Sequence, residues 1–353
     1  MAKSCPWPRS RSLTRPLSTN SSKTKVLVLA GPTAVGKTEL LAKTFGAEAP
    51  IFLSDSPAMC RYLRGAEVVS ADCFQAYRGM DIGTAKPDAE LRRILPHYLI
   101  DFLEPDQQYT AGDFVRMADN ICNELWSQGR LPVVSGGTGF YLRNFICGPA
   151  SGPASDPEIR NAVQQELQEK GIDALRAELA AADPLAVSRI AYNDTYRLTR
   201  AVEILRATGR PPSVFAPSKV PRDKFDFLVV GLCRPREELN ARIEHRVDNM
   251  FEQGLAAEVE SLIARGYDLE SPGMQAIGYK EFLTMPGARA EEIKEAIVLH
   301  TRQYAKRQMT FFRSLPGIVW IEPSAMELLE HLESFLNRES DQDDQSDQDD
   351  QSD

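Results

Sequence analysis

At 353 residues, 42% hydrophobic and 26% charged, the chain has the composition of a soluble globular protein and the length for a main domain with a smaller one. No apolar run approaches the roughly 18 residues that a membrane-spanning helix needs, which excludes a helical membrane protein. The net charge of −9 does not exclude a nucleic-acid partner, because residues 340–353 hold seven aspartates and no cation, and the remainder carries only −2.

Residues 1–24 are basic and rich in Ser, Pro and Arg, with no acid before Glu39. They read as a disordered extension whose composition overlaps with that of organellar transit peptides. The first strand is predicted at residues 26–30, an apolar run of the kind buried on both faces of a parallel sheet, and it ends at Gly31-Pro32. A helix is expected at 37–45. Gly46-Ala47-Glu48 then recurs as Gly65-Ala66-Glu67, and the segment 47–65 reads as an insertion. Strands at 67–70 and 97–100 lead into Asp72 and Asp101, and a helix N-capped by Thr110 runs to Gly129. A strand at 131–135 runs into Gly136-Gly137-Thr138-Gly139. This alternation predicts βαβ units, hence an α/β fold with a parallel sheet flanked by helices.

Residues 148–157 turn to Gly, Pro, Ala and Ser, and the pattern is then helical without a strand until 225–232. Residues 156–212 are therefore expected as a helical insertion domain within a core domain made of 25–155 and 213–338. Helices at 236–253, 255–265 and 290–313 follow, then an apolar run at 318–321. The acidic tail, 339–353, is too polar to bury anything. The six cysteines, Cys5, Cys60, Cys73, Cys122, Cys147 and Cys233, form no Cys-x-x-Cys pair and no Cys/His cluster at metal-ligand spacing. That usage fits a reducing compartment, the cytoplasm, and speaks against structural zinc.

Gly31-Pro32-Thr33-Ala34-Val35-Gly36-Lys37-Thr38 matches G-x-x-x-x-G-K-[ST] between a strand and a helix, the context in which that pattern binds the phosphates of a nucleotide or a diphosphate. Small residues let backbone N–H groups converge on phosphate oxygens, Lys37 neutralises charge, and Thr38 can ligate Mg2+. The fold is thus P-loop NTPase-like. In such sheets ligands bind beyond the carboxyl ends of the strands, which singles out Asp72 and Asp101. For either aspartate, capping a helix or pinning a loop is as open a reading as catalysis. The strand at 131–135 is followed by Gly136-Gly137-Thr138, where many P-loop ATPases place an acid, and that weakens an ATPase reading.

From residue 69 the sequence runs Val69-Ser70-Ala71-Asp72-Cys73-Phe74-Gln75-Ala76-Tyr77-Arg78-Gly79-Met80-Asp81-Ile82-Gly83-Thr84-Ala85-Lys86-Pro87. Further on stand Gly136-Gly137-Thr138-Gly139-Phe140-Tyr141, Asn193-Asp194 with Arg197 and Arg200, and Arg242-Ile243-Glu244-His245-Arg246. Gln275-Ala276-Ile277-Gly278-Tyr279-Lys280-Glu281 and Gln303-Tyr304-Ala305-Lys306-Arg307-Gln308 complete the set. With the P-loop, these stretches resemble the tRNA dimethylallyltransferases, also called tRNA isopentenyltransferases, in the family's order over about residues 25–320. No cysteine follows Cys233, so the zinc finger of many eukaryotic members of that family is not expected, and the bacterial type is the better match.

The resemblance implies transfer of a dimethylallyl group from dimethylallyl diphosphate to N6 of the adenosine at position 37, 3′ of the anticodon of tRNA. It makes Asp72 the general base, with Lys37 and Arg246 stabilising the leaving diphosphate and Mg2+ held by Thr38. It also implies that Asp72, Cys73, Phe74 and Gln75 meet the target adenosine. Thr138, Arg160, Tyr196, Arg197, Leu198, Thr199, Arg200, Gln275, Ala276, Ile277, Gly278, Tyr279 and Lys280 would face the tRNA. A monomer without a membrane partner is expected. Arg302 and Lys306, near Tyr304, Phe311 and Phe312, could form a basic strip beside a stacking aromatic, but an amphipathic helix with its aromatics in the core is favoured. A P-loop kinase for a small molecule or nucleotide is the alternative, although it leaves residues 72–87 without a purpose. An RNA-binding GTPase switch lacks an Asn-Lys-x-Asp motif.

Overall fold

The computed structural model describes residues 23–46, 65–149, 151–153 and 155–337. The expected basic extension, the inserted segment and the acidic tail lie almost wholly outside them. One compact unit comprises the chain up to Ile146 and from Pro221 onward, and the other is Cys147–Val220.

The first unit is built on β1 (Thr24–Ala30), α1 (Lys37–Phe45), β2 (Glu67–Ser70), α2 (Ala89–Ile94), β3 (His97–Tyr98), α3 (Ala111–Ser127), β4 (Pro132–Gly136) and α4 (Gly139–Cys147). The described strands, with β5 and β6 below, form one parallel sheet ordered β3-β2-β4-β1-β5-β6. Val26 to Ala30 are fully buried, as a central strand covered by helices on both faces must be. α3 opens with a capping box between Thr110 and Asp113. Leu27, Leu29, Val133 and Val230 pack with Leu40 and Leu41 of α1 in the main core.

Register decides where the loops meet. Ala30 pairs with Gly136 and Ser70 with Ser135, so the carboxyl ends of β1, β4 and β2 lie level. Beyond them the loops press together: Ala71 N–H donates to the Ser135 carbonyl (2.8 Å) and Thr138 N–H to that of Ala71 (3.1 Å). A Cβ on Gly136 would stand 2.1 Å from the Ala71 carbonyl oxygen, so only glycine admits this approach.

The strand expected at 97–100 is cut to two residues. Leu99 and Asp101 take positive φ (63° and 58°), and the backbone turns to pair with the preceding loop, Asp101 N–H donating to Gln75 O (3.2 Å) and Phe102 N–H to Ala76 O (2.9 Å). α2 and α4 were not anticipated. The apolar run after Gly139 reads as a strand or a helix equally well, and the Thr138 carbonyl, accepting from Tyr141 and Leu142 N–H, starts it as a helix.

The second unit holds α5 (Pro157–Ala182), α6 (Pro184–Arg189) and α7 (Thr195–Thr208), then a 3₁₀ turn at Pro212–Phe215. α5 kinks at Gly171 (φ 77°, ψ 178°). Val163, Leu175, Leu179, Leu198 and Val202 form its core. Its bounds are wider than the expected 156–212, because the flanking segments pack onto it. Arg200 donates to the Pro153 carbonyl, Ser155 Oγ donates to Glu203 (3.0 Å), and Phe215 lies against Gly152.

The chain then returns through β5 (Phe225–Leu232), α8 (Arg236–Glu252), α9 (Leu255–Ala264), α10 (Lys280–Thr284), α11 (Ala290–Phe312), β6 (Val319–Ile321) and α12 (Ala325–Leu336). α10 and α12 were likewise not anticipated. Ser324 caps α12, whose Leu328, Leu332 and Phe335 are fully buried.

Candidate active site

The P-loop leaves β1 at Ala30 and joins α1 at Lys37. Gly36 (φ 103°) and Ala34 (φ 62°) both take left-handed conformations, and the second, bearing a side chain, must be held in place by its surroundings. Arg242 Nε donates to the Ala34 carbonyl and Arg234 Nε to that of Val35, each at 2.8 Å. Lys37 Nζ donates to the carbonyls of Gly31 (2.7 Å) and Pro32 (3.1 Å), and Thr33 N–H donates to Gln308 Oε1 (2.9 Å). With its carbonyls drawn onto cations, the loop is preformed as a concavity for an anion.

Burial lowers the Lys37 ammonium to about 8, the charge of Asp72 opposes that shift, and Arg246 adds to it. Arg246 is pushed down by burial as well, again against Asp72. Two half-buried cations and one carboxylate thus share a field. An anion seated between the cations would offset the loss of their hydration.

Asp72 lies two residues beyond β2, and its Oδ1 accepts from Phe74 N–H (3.0 Å) and Gln75 N–H (3.4 Å). The loop-pinning reading of this aspartate is therefore right for one oxygen. Oδ2 is turned toward Gly137. Gln75 is held at both ends of its amide: Ser70 Oγ donates to Oε1 (3.0 Å), and Nε2 donates to the Thr84 and Ala85 carbonyls (3.3 Å each). Cys73 N–H donates to Thr138 Oγ1 (3.0 Å), and burial, aided by Asp72, raises its thiol to about 12, so it stays protonated.

Lys37, Asp72, Gln75 and Arg246, though not Cys73 or Thr138, share a cleft of about 1020 Å³ lined by Thr33, Ala34, Gly36, Lys37 and Thr38, by Asp72, Phe74 and Gln75, and by Gln275, Ala276, Ile277 and Lys280. Arg242, His245, Arg246 and Arg307 line it too, giving it an excess of cations. The excess suits phosphates, and the remaining span leaves room for a nucleobase.

The remaining residues singled out in the sequence fall in several different settings. Asp101 is ion-paired with Lys86 and with Arg92 (2.8 Å) and does not line the cleft, so it pins a loop. Thr138 Oγ1 accepts from Cys73 N–H, which ties it to the loop after β2. Tyr279 and Ala276 are almost fully buried, as are Leu198 and Thr199 in the second unit. The side chains of Tyr279, Leu198 and Thr199 therefore serve packing and offer no surface to RNA, and Gly278, with φ 101°, shapes a turn. Arg160 and Arg200 bracket buried Glu203 (3.8 and 3.0 Å), Arg197 pairs with Asp194 (2.9 Å), and Tyr196 is 72% exposed. Of the basic strip, Arg302 pairs with Glu244 and Phe312 is fully buried, as the amphipathic reading requires.

Sequence reasoning missed Gln308. Its Oε1 holds the P-loop, and its Nε2 donates to the Gly137 carbonyl (2.7 Å), so one buried amide ties two loops of the cleft together. It lies in the Gln303–Gln308 stretch that resembles the family, but an amide on a helix has no distinguishing sequence signal. Arg234 and Arg242, which hold the P-loop carbonyls, were missed in the same way.

A family model described as IPP transferase matches residues 75–315. A protein of Geobacter sulfurreducens named tRNA dimethylallyltransferase is 40% identical over 304 residues, 85% of this chain and 93% of that protein. Among solved structures, the tRNA isopentenylpyrophosphate transferase of Bacillus halodurans is 33% identical with a TM-score of 0.62, covering 90% of this chain and 98% of its own. A eukaryotic dimethylallyltransferase described as acting on tRNA is 27% identical with a TM-score of 0.70, over 86% of this chain and 75% of its own. The kinase alternative gains no support from these likenesses.

Proposed function

Because the chain belongs to the IPP transferase family of tRNA dimethylallyltransferases, we propose that it moves the dimethylallyl group of dimethylallyl diphosphate onto N6 of the adenosine 3′ of the anticodon in tRNA. The observation that carries this reading is the meeting of the P-loop and Asp72 in one cationic cleft, with Lys37 and Arg246 both in the field of Asp72.

The donor's diphosphate sits on the P-loop, where Lys37 exchanges the Gly31 and Pro32 carbonyls for phosphate oxygens. As the adenine nitrogen bonds to the allylic carbon, the bond from that carbon to the diphosphate oxygen breaks, and negative charge gathers on the leaving group. Lys37 and Arg246 are half-buried in the cleft before the reaction begins, so they stabilise that charge with little rearrangement of water. The amine becomes acidic as it alkylates, and Asp72, through the oxygen not used by the loop, takes its proton. Gln75, held at both ends of its amide, is the group placed to orient the base.

Among the described residues no group of His, Cys, Asp and Glu could cage a metal ion by itself. Thr38, exposed at the start of α1 and lining the cleft, fits a Mg2+ shared with phosphate oxygens. Such an ion would add charge neutralisation at the diphosphate. The second unit's exposed Tyr196 and Arg197 suit a tRNA-facing surface. The protein is read as a cytoplasmic monomer, and among the described residues no helix is long and apolar enough to cross a membrane.

The test is nucleoside mass spectrometry of tRNA incubated with the protein, Mg2+ and dimethylallyl diphosphate. N6-dimethylallyladenosine is expected, in step with diphosphate release and with no ATP consumed. Unmodified tRNA refutes the reading, and stoichiometric ADP formation would replace it with a kinase.

A further inference from the structure

Glu258 stands in the first turn of α9, outside every motif and outside the cleft lining. Its carboxylate nevertheless accepts from three successive backbone N–H groups: Asp81 at 3.0 Å, Ile82 at 2.9 and 3.1 Å, and Gly83 at 3.2 Å. It accepts a fourth donor, Tyr279 Oη, at 2.6 Å. Consecutive amides converging on one anion form a nest, and two carboxylate oxygens have the lone pairs to satisfy all four donors.

The clasp joins two segments distant in sequence. The Asp81–Gly83 turn comes from the stretch after β2, and Tyr279 follows Gln275, Ala276 and Ile277, which line the cleft. Gly83 allows the join, because a Cβ there would stand 2.4 Å from the Tyr279 ring. α9 is itself anchored, since Leu255, Val259 and Leu262 share a buried cluster with Met80, Met274 and Tyr279.

What the turn carries explains the purpose. The residue after it, Thr84, presents its carbonyl to Gln75 Nε2 (3.3 Å) and to Arg246 Nη2 (3.5 Å). One backbone oxygen therefore orients both the group beside the base and the group beside the leaving diphosphate. We propose that Glu258 is a positioning residue for the transfer: by clasping the Asp81–Gly83 turn to Tyr279, it fixes the Thr84 carbonyl and through it the relative placement of Gln75 and Arg246. The proposal rests on the transferase reading of the cleft.

Glu258→Gln keeps the side chain's length but turns an acceptor into a donor among donors. The expected result in the full-length protein is a fall in kcat of about 10-fold or more. KM for dimethylallyl diphosphate and for tRNA should stay within about 3-fold, because the variant leaves the P-loop and the outer RNA surface intact. Backbone amide exchange at Ile82 and Gly83 should accelerate by about 10-fold or more. In an Arg246→Ala background the further loss should be smaller than in wild type, since part of the effect passes through Arg246. A wild-type kcat, a loss confined to KM, or unchanged amide exchange would overturn the proposal. If Glu258→Gln is not recovered folded, Tyr279→Phe carries the test: it removes one donor and should give a smaller fall in kcat with faster exchange at Gly83, and no change in either overturns the clasp. Exchange is read without turnover, so wild-type protein unable to alkylate tRNA would count against the reaction while the amides still judge the clasp.

Discussion

Asp72→Asn separates base catalysis from loop geometry at a single residue. The Oδ1 atom that accepts Phe74 and Gln75 N–H survives in asparagine, so the turn keeps its shape while the proton acceptor is lost. Removing a positioned base costs about 10²- to 10⁴-fold in kcat, with tRNA affinity nearly unchanged because the charge removed is negative. A second effect has a definite sign. Lys37 is lowered to about 8 by burial despite the charge of Asp72, which favours its protonated form. Donor capture needs the ammonium, so kcat/KM for dimethylallyl diphosphate should decline as pH rises through about 8, the free-enzyme value. Without the Asp72 charge the ammonium is less stable, and that alkaline limb should move to lower pH. The assay is transfer of labelled donor to tRNA from about pH 6 to about pH 10, with kcat and kcat/KM separated at each point. A variant retaining kcat within about 3-fold would refute Asp72 as base. An alkaline limb that stays put or moves upward would refute the coupling to Lys37.

Asp101→Asn is the paired control: it should leave kcat near wild type and lower stability by roughly 1–3 kcal/mol in denaturant titration, because Lys86 and Arg92 lose a charged acceptor. A fall in kcat matching that of Asp72→Asn, in folded protein, would assign Asp101 to the chemistry instead. Gln308→Leu orphans Thr33 N–H and the Gly137 carbonyl, so donor KM should rise by about 10-fold, and an unchanged KM would show that the P-loop keeps its shape without the clamp. Removing residues 340–353 deletes seven negative charges and should leave tRNA affinity equal or higher, with binding that weakens as salt rises. A large loss of affinity on that deletion would show the tail to be part of the RNA interface.

Much of the fold was legible because its signals are local. The apolar run of β1, the glycine spacing of the P-loop and the Thr110 cap of α3 each sit within a few residues, and each element formed there. β3 was overestimated because Leu99 and Ile100 fit a strand, while the chain turns at Leu99 and the next residues, Asp101 and Phe102, bond to the Gln75 and Ala76 carbonyls instead. Tyr279 was expected at the tRNA only because its stretch resembles the family's, and a resemblance in sequence does not say which way a side chain points. Its hydrogen bond to Glu258 and its packing on Gly83 decide the matter.

The sequence by itself determined a phosphate-binding loop with Lys37 and a carboxylate at Asp72, and the family resemblance added Arg246. It did so because the chemistry of each side chain, and the helical or extended turn beneath it, depend on near neighbours. Only the tertiary structure decided how those groups stand toward one another. Thr33 is held by Gln308 across 275 residues of chain, Ile82 by Glu258 across 176, and Arg246 by the Thr84 carbonyl across 162. Such links follow from strand order and loop closure, through which β1, β2 and β4 bring their ends level in a register that no local pattern encodes. An amide or a carboxylate on a helix surface reads the same whether it faces water or holds an active site together. The difference is the burial and pairing that the whole chain imposes.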